Sequence, residues 1–306
     1  MIKTKIPKVS IGLPVYNGEE FIVKKIESIL SQTFKDFELI ISDNNSTDKT
    51  AEICKKFELI DKRIKFLVQK KNIGAAANFN FVLDKANGKY FLWSAVDDFL
   101  LATFLEKNIN VLETKKNIAC SISKISLYGE KTNSLIIKSN DSIFQKIMKK
   151  VEKRMGYMDT FPATGSYEKR IKEYFKNLRH NQIFYGIFRT DQIKKAHVRN
   201  SFLMVDACTI LNILKFGELF VIDEILMKTY DGGVSRQGML AVTKHVNYKI
   251  MSKIFPNSHF TFWCYRNLDF KIFLNSLGFF VKINFIGAFS LSIDLLRKLK
   301  LVNSVK

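Results

Sequence analysis

Gly88-Lys-Tyr-Phe-Leu-Trp-Ser-Ala-Val-Asp-Asp-Phe-Leu100 runs an apolar strand directly into two adjacent carboxylates. Tyr90, Phe91, Leu92 and Trp93 are consecutive and apolar or aromatic, the pattern of a parallel-sheet strand covered on both faces. Asp97 and Asp98 at its carboxyl end repel each other unless positive charge sits beside them. A divalent cation with oxygen ligands, arriving with phosphates, answers that repulsion. A plain cap for the helix that begins near Thr103 would also explain an acid there. The flanking strands decide between the two.

Upstream, residues 9–13 form a short apolar strand stopped by Pro14, and Tyr16-Asn-Gly18 is turn chemistry leading into a helix. Asn17 and Glu20 have capping-box spacing, and Ile22, Ile26, Ile29 and Leu30 share one helical face. Residues 37–42 form a second strand that ends in the polar run Asp43-Asn-Asn-Ser-Thr-Asp48, followed by a helix to Phe57. Residues 64–68 form a third, after which Gln69-Lys-Lys-Asn-Ile-Gly74 opens a helix to about Ala86. Downstream of the paired acids come a helix over 103–113 and a strand over 118–127. This alternation predicts an α/β fold with a mostly parallel, doubly wound sheet, in which function gathers at the carboxyl ends of the strands. Four successive strands end in polar clusters: Pro14 to Asn17, Asp43 to Asp48, Asn72 to Gly74, and Asp97-Asp98. Each alone is ordinary turn chemistry. Together they make a pocket on one rim.

The second half is predicted to return to the sheet through a strand at 183–189. Helices start at Thr190 and over 204–217, the latter with Asp206 near its head, and short strands follow at 220–222 and 226–230, then a loop at 231–236. Between 145 and 179 the bases outnumber the acids, as in solvated helix faces and loops. From about 239 the chain becomes aromatic and basic, and over 272–293 the only charge is Lys282. That length could span a bilayer, but Lys282 at its middle, with Asn275, Ser276 and Asn284, makes a poor span. Amphipathic helices on an anionic membrane surface fit better. A helical pair packed on the main domain or on a second subunit is the alternative. The organisation expected is a main domain over 1–238, divided at about 115, and a helical appendage over 239–306.

The totals narrow the function. A 306-residue chain that is 47% hydrophobic buries a sizeable core and is not disordered. Its 49 Lys and Arg against 29 Asp and Glu give +20, which favours an anionic partner. Cys54, Cys120, Cys208 and Cys264 show neither zinc spacing nor a disulfide framework, and the four histidines show no metal spacing. The first eight residues leave no room for an apolar signal before the first strand, so a cytoplasmic protein is expected.

Residues 9–17, Ile29-Leu-Ser-Gln-Thr-Phe-Lys-Asp-Phe-Glu-Leu-Ile-Ile-Ser-Asp-Asn-Asn-Ser-Thr-Asp48, Asn72-Ile-Gly74 and Gly88 to Asp98 resemble, in order, the nucleotide-sugar half of family 2 glycosyltransferases. Residues 184–190 and the segment around Asp206 resemble the acceptor half more loosely. The resemblance implies the nucleotide-diphospho-sugar transferase (GT-A) fold. It also implies a metal-dependent inverting transfer of a sugar from a UDP- or dTDP-type donor to a hydroxyl of a glycan or lipid-linked acceptor, in cell-surface polysaccharide synthesis. It places Pro14, Tyr16 and Asn17 against the base and ribose, with Glu19 near them. Asp43 and Asn44 would meet the base, Asn72 and Gly74 would close over the nucleotide, and Lys71 would contact phosphate. Asp97 would face the ribose or sugar, Asp98 would hold Mn2+ or Mg2+, and Asp206 would be the catalytic base, against the plainer role of a helix cap. Two positions depart from the family: Asn44 stands for the second of two paired acids, and Ala95 for the first acid of the metal motif. A catalytically weak sugar-binding or scaffold protein of the same fold is the alternative.

Other classes lack their signatures. No G-x-G-x-x-G follows the first strand, as a dinucleotide-binding oxidoreductase needs, and no G-x-x-x-x-G-K-[ST] is present for a nucleotide hydrolase. The bases are dispersed, with no nucleic-acid recognition module among them.

Overall fold

A computed structural model describes residues 6–130, 160–178, 181–232 and 254–298, together with 132, 142, 143 and 146. Strands β1 (Val9–Val15), β2 (Phe37–Asp43), β3 (Ile64–Val68) and β4 (Tyr90–Trp93) pair in parallel in the order β3-β2-β1-β4. Helices α1 (Glu19–Leu30), α2 (Thr50–Ile60) and α3 (Ala75–Lys85) make the crossovers. β1, β2 and β4 are buried at every position, as their unbroken apolar runs require. A side chain at Gly12 would stand 2.7 Å from Val82 of α3, so the glycine is what lets that helix lie close on β1.

Pro14 sits buried inside β1, and the missing N–H has a use. Ser94 N–H donates to Gly12 O at 2.8 Å. The next ladder bond on that side would need an N–H at residue 14, so β4 peels away there and the chain is released toward Asp97 and Asp98.

Beyond the paired acids the sheet becomes mixed. β5 (Phe99–Leu100), α4 (Phe104–Thr114), β6 (Ile118–Tyr128), α5 (Tyr167–Asn177), β7 (Ile187–Arg189), α6 (Thr190–Ala196), α7 (Val205–Ile213) and β8 (Glu218–Tyr230) follow in chain order. The eight strands lie in the order β3-β2-β1-β4-β7-β6-β8-β5, with β7 antiparallel to both its neighbours and β5 antiparallel to β8. The strand expected over 183–189 is a 3-10 turn (Gln182–Tyr185) followed by the short β7. Gly186 separates them where a side chain would meet Cys120 Sγ at 2.6 Å. The two strands expected near 220 and 226 are one. β8 passes from Ile222, opposite Ser123, to Ile225, opposite Lys124, so Asp223 and Glu224 are left out of register as a bulge. The expected loop past Gly232 lies outside the described residues, as does part of the basic stretch, 147–159, whereas 160–178 is described and includes α5.

The appendage is α8 (Ser258–Asn267), α9 (Phe270–Asn275) and α10 (Leu277–Lys298). One face of it belongs to the core: Phe260 and Cys264 are fully buried, Phe280 nearly so, and Phe279 stacks on Phe175 of α5 at 4.5 Å. Asn257 Nδ2 donates to Ile283 O at 2.7 Å and Asn284 Nδ2 to Thr261 Oγ1 at 2.8 Å, tying α10 to α8. All four cysteines are buried and unpaired.

Candidate functional site

The loops after β1, β2 and β3 are hydrogen-bonded to one another at the carboxyl end of the sheet. Asn17, expected to cap α1, does something else. Gly18 is the N-cap without a side-chain bond, while Asn17 Oδ1 accepts Thr47 N–H at 2.9 Å and its own N–H donates to Ser46 Oγ at 2.8 Å. Glu19 Oε2 accepts Lys49 N–H at 3.1 Å. Asp43 is buried and accepts both the N–H and the hydroxyl of Ser46. Asn44, also buried, donates to Asn72 Oδ1 at 3.0 Å and accepts Ile73 N–H at 2.9 Å, and Asn72 Oδ1 also takes Gly74 N–H at 2.9 Å. Tyr16 and Lys71 stay exposed on this rim. Among the described residues three non-glycine positions have positive φ: Asn17 and Asn45 on these loops, and Met204 immediately before α7. Backbone held in that region is strained, most so at a residue such as Met.

Asp97 and Asp98 cap no helix; the N-cap of α4 is Thr103. Their turn is pinned from three sides. Tyr128 Oη of β6 donates to Asp97 O at 2.6 Å, Tyr230 N–H of β8 donates to Asp98 Oδ1 at 3.3 Å, and Lys25 Nζ of α1 donates to Asp98 O. Gln32, itself buried, donates to Leu101 O at 2.9 Å and accepts Leu105 N–H at 3.0 Å, which fixes the chain just beyond. The two acids are not equivalent. Asp98 is 3% exposed, whereas Asp97 keeps partial solvent access. Burial pushes both carboxyls above their ordinary range, and Asp97 adds to the rise at Asp98. Such carboxylates are short of positive charge, and their oxygens are the hard ligands that Mn2+ or Mg2+ takes. No group of three or more metal-ligating side chains occurs among the described residues.

Asp206 lies in the first turn of α7. Its Oδ2 accepts Asn181 Nδ2 at 3.0 Å, and Tyr174 Oη donates to Asn181 Oδ1 at 2.7 Å. Burial raises the Asp206 carboxyl, while the Asn181 bond and its own helical N–H groups hold it back. Burial first, and then the fields of Asp98, Asp97 and Asp206, raise the Tyr185 phenol. Phe184 beside it stacks on Trp93, the last residue of β4, at 4.3 Å.

Lys25, Tyr128, Asn181, Tyr185 and Tyr230 escape a reading of the sequence. Only Lys25 leaves a trace there, as a lysine three residues after Ile22 and four before Ile29, within an otherwise apolar helical stripe.

Residues 10–194 fit the family model described as Glycosyl transferase family 2. An uncharacterized glycosyltransferase of Haemophilus influenzae is 33% identical over 130 residues, 42% of this chain and 40% of its own length. A Bacillus subtilis protein, TuaG, with a provisional role as a teichuronic acid biosynthesis glycosyltransferase, is 34% identical over 124 residues, 40% of this chain and 49% of its own. The chain spans less than half the length of these curated relatives. Among solved structures, the mannosyltransferase PcManGT of Pyrobaculum calidifontis, in complex with GDP-Man and Mn2+, superposes with a TM-score of 0.57. It covers 99% of this chain and 77% of that one at 13% identity. S. aureus TarS in complex with UDP gives a TM-score of 0.53, covering 85% of this chain and 72% of that one at 17% identity. These likenesses establish a shared fold.

Proposed function

Since the chain belongs to glycosyl transferase family 2, we propose that it transfers a sugar, with inversion, from a UDP- or dTDP-type donor to a hydroxyl of a glycan or lipid-linked acceptor in cell-surface polysaccharide synthesis. Asn17, Asp43 and Asn44 with Asn72 and Gly74 frame the base and ribose. Tyr16, Glu19 and Lys71 border them, and Pro14 shapes the rim from inside β1. Asp98 would hold the divalent cation, and Asp97, whose carboxylate keeps partial solvent access, would face the sugar side. The cation, when bound, neutralises the diphosphate leaving group as a Lewis acid.

Asp206 takes the proton from the acceptor hydroxyl as that oxygen bonds the anomeric carbon and the bond from that carbon to the diphosphate breaks. A carboxyl raised by burial is a better proton acceptor at neutral pH than an exposed one. The observation that carries this reading is the rim at the carboxyl end of the sheet, where the loops after β1, β2 and β3 are bonded to one another at Asn17–Thr47 and Asn44–Asn72. The open face of α10 would hold the enzyme on the anionic inner surface of the membrane, close to a lipid-linked acceptor.

The test is incubation with a panel of nucleotide sugars in Mn2+, following which donor is hydrolysed, alongside melting with each nucleoside diphosphate. One donor turned over and a rise in Tm with its diphosphate are expected. No shift with any nucleotide sinks the reading. Binding without turnover, with or without an acceptor, favours the scaffold alternative.

A further inference from the structure

Lys25 has no solvent exposure. It belongs to the inward face of α1 with Ile22, Ile26 and Ile29, positions an apolar residue would fill at no electrostatic cost. A buried ammonium is expensive unless paired, and this one is bonded to the turn that carries the paired acids. Nζ donates to Asp98 O. Burial pulls Lys25 down to about 8, while Asp98 and Asp97 pull it up, and Lys25 in turn opposes the rise at both acids. Lys25 thus brings a basic group to the turn that carries both carboxyls.

We propose that Lys25 is a resident counter-charge for the Asp97–Asp98 pair that weakens divalent-cation binding there, so that the cation binds tightly only together with a nucleoside diphosphate. This rests on the reading of the pair as the cation end of the donor site. A unit positive charge bonded to the turn that would hold a divalent ion repels that ion, and the repulsion stays appreciable even at an effective dielectric of about 20. Two phosphate groups brought by the nucleotide overcome that repulsion, whereas water ligands do not. The arrangement also gives the apo protein a reason to keep Asp98 buried: the lysine holds its turn in place before any ligand arrives.

The experiment is calorimetric titration of Mn2+ into the full chain, with and without UDP, for wild type, Lys25→Gln, Lys25→Met and Lys25→Arg. Glutamine keeps a donor for Asp98 O and removes the charge. Lys25→Gln should bind Mn2+ without nucleotide at least about tenfold more tightly than wild type, and Lys25→Arg, which keeps the charge, should stay within about threefold of it. Equal or weaker binding by Lys25→Gln overturns the proposal. Lys25→Met covers the case of a variant that folds poorly. A larger Mn2+-induced rise in melting temperature than in wild type supports the proposal, and no rise overturns it. If neither wild type nor Lys25→Gln binds Mn2+ under any condition, the proposal fails together with the metal assignment. UDP binding in the same titrations then shows whether the donor site itself stands.

Discussion

Asn181 holds Asp206: its amide donates to Oδ2 at 3.0 Å, from a position 25 residues earlier in the chain. Tyr174 fixes the amide in turn through Asn181 Oδ1. The carboxylate is thus aimed by a chain of two neutral groups, and its pKa is lowered by one of them while burial raises it.

This sets apart two substitutions on one bond. Asp206→Asn should leave donor binding, measured by calorimetry, intact and cut transfer by about a thousandfold or more, the usual cost of losing a general base together with its positioning. Asn181→Ala should cost about tenfold in kcat. Because the lost bond favoured the ionised form, it should also move the acidic limb of the pH–rate profile to higher pH. A purely structural role for Asn181 would lower activity without shifting that limb.

The Asn44–Asn72 pair joins the loops after β2 and β3. Asn44→Ala leaves Ile73 N–H without its partner and removes one of the two donors to Asn72 Oδ1. UDP binding should weaken about five- to tenfold, the worth of one or two hydrogen bonds that order a binding loop. Calorimetry at fixed Mn2+ measures it. An unchanged Kd would place the nucleotide away from this rim.

Local periodicity made β1 to β4 and their helices legible, because strands covered on both faces are written as unbroken apolar runs. The rim residues could be read because turn chemistry is local. What stayed hidden depends on long-range packing. Asn181 meets Asp206 across 25 residues and Tyr230 meets Asp98 across 132, and no spacing encodes either. β8 looked like two strands because Asp223 and Glu224 interrupt its apolar pattern, which only a bulge against β6 reconciles. Asn17 looked like a cap because asparagine before a helix usually is one, yet Thr47 and Ser46 claim it.

His197 offers a handle on stability. Nε2 meets Asn80 Oδ1 at 2.6 Å, Nδ1 lies 3.3 Å from Thr209 Oγ1, and the ring packs against Trp93 at 4.9 Å. Burial, with Arg199 adding, lowers its pKa to about 4 from an ordinary 6.5. The unfolded chain therefore takes up the proton first as pH falls, and the native state loses stability from about pH 6.5 down to about 4. At pH 5 that loss is about 2 kcal/mol for this one group. His197→Gln, which cannot titrate, should flatten the difference in urea-unfolding free energy between pH 7.5 and pH 5 by about that amount. An undiminished difference would assign the acid sensitivity elsewhere.

The two faces of α10 call for a different kind of test. Leu277–Leu296 is long and apolar enough to cross a membrane, and 17% of it is buried within the protein. The bonds from Asn257 to Ile283 and from Asn284 to Thr261 tie it to α8. Phe285 and Phe289, each 68% exposed, stand on the open side with exposed Lys282 close by in sequence. That pattern suits a helix lying in the headgroup region of an anionic membrane. Truncation after about residue 255 would be a misleading test, since it strips Phe260, Cys264 and Phe280 from the core, and the resulting protein would pellet by aggregation. Phe285→Ser with Phe289→Ser removes only exposed surface. It should leave the melting temperature close to wild type and reduce co-sedimentation with anionic vesicles about tenfold or more, from the loss of two inserted aromatic side chains. Raised salt should weaken the wild-type interaction further, because the basic residues contribute through a screened field. Sedimentation unchanged by both substitutions would put the membrane contact elsewhere, and a change in oligomeric state instead would identify the open face as a subunit interface.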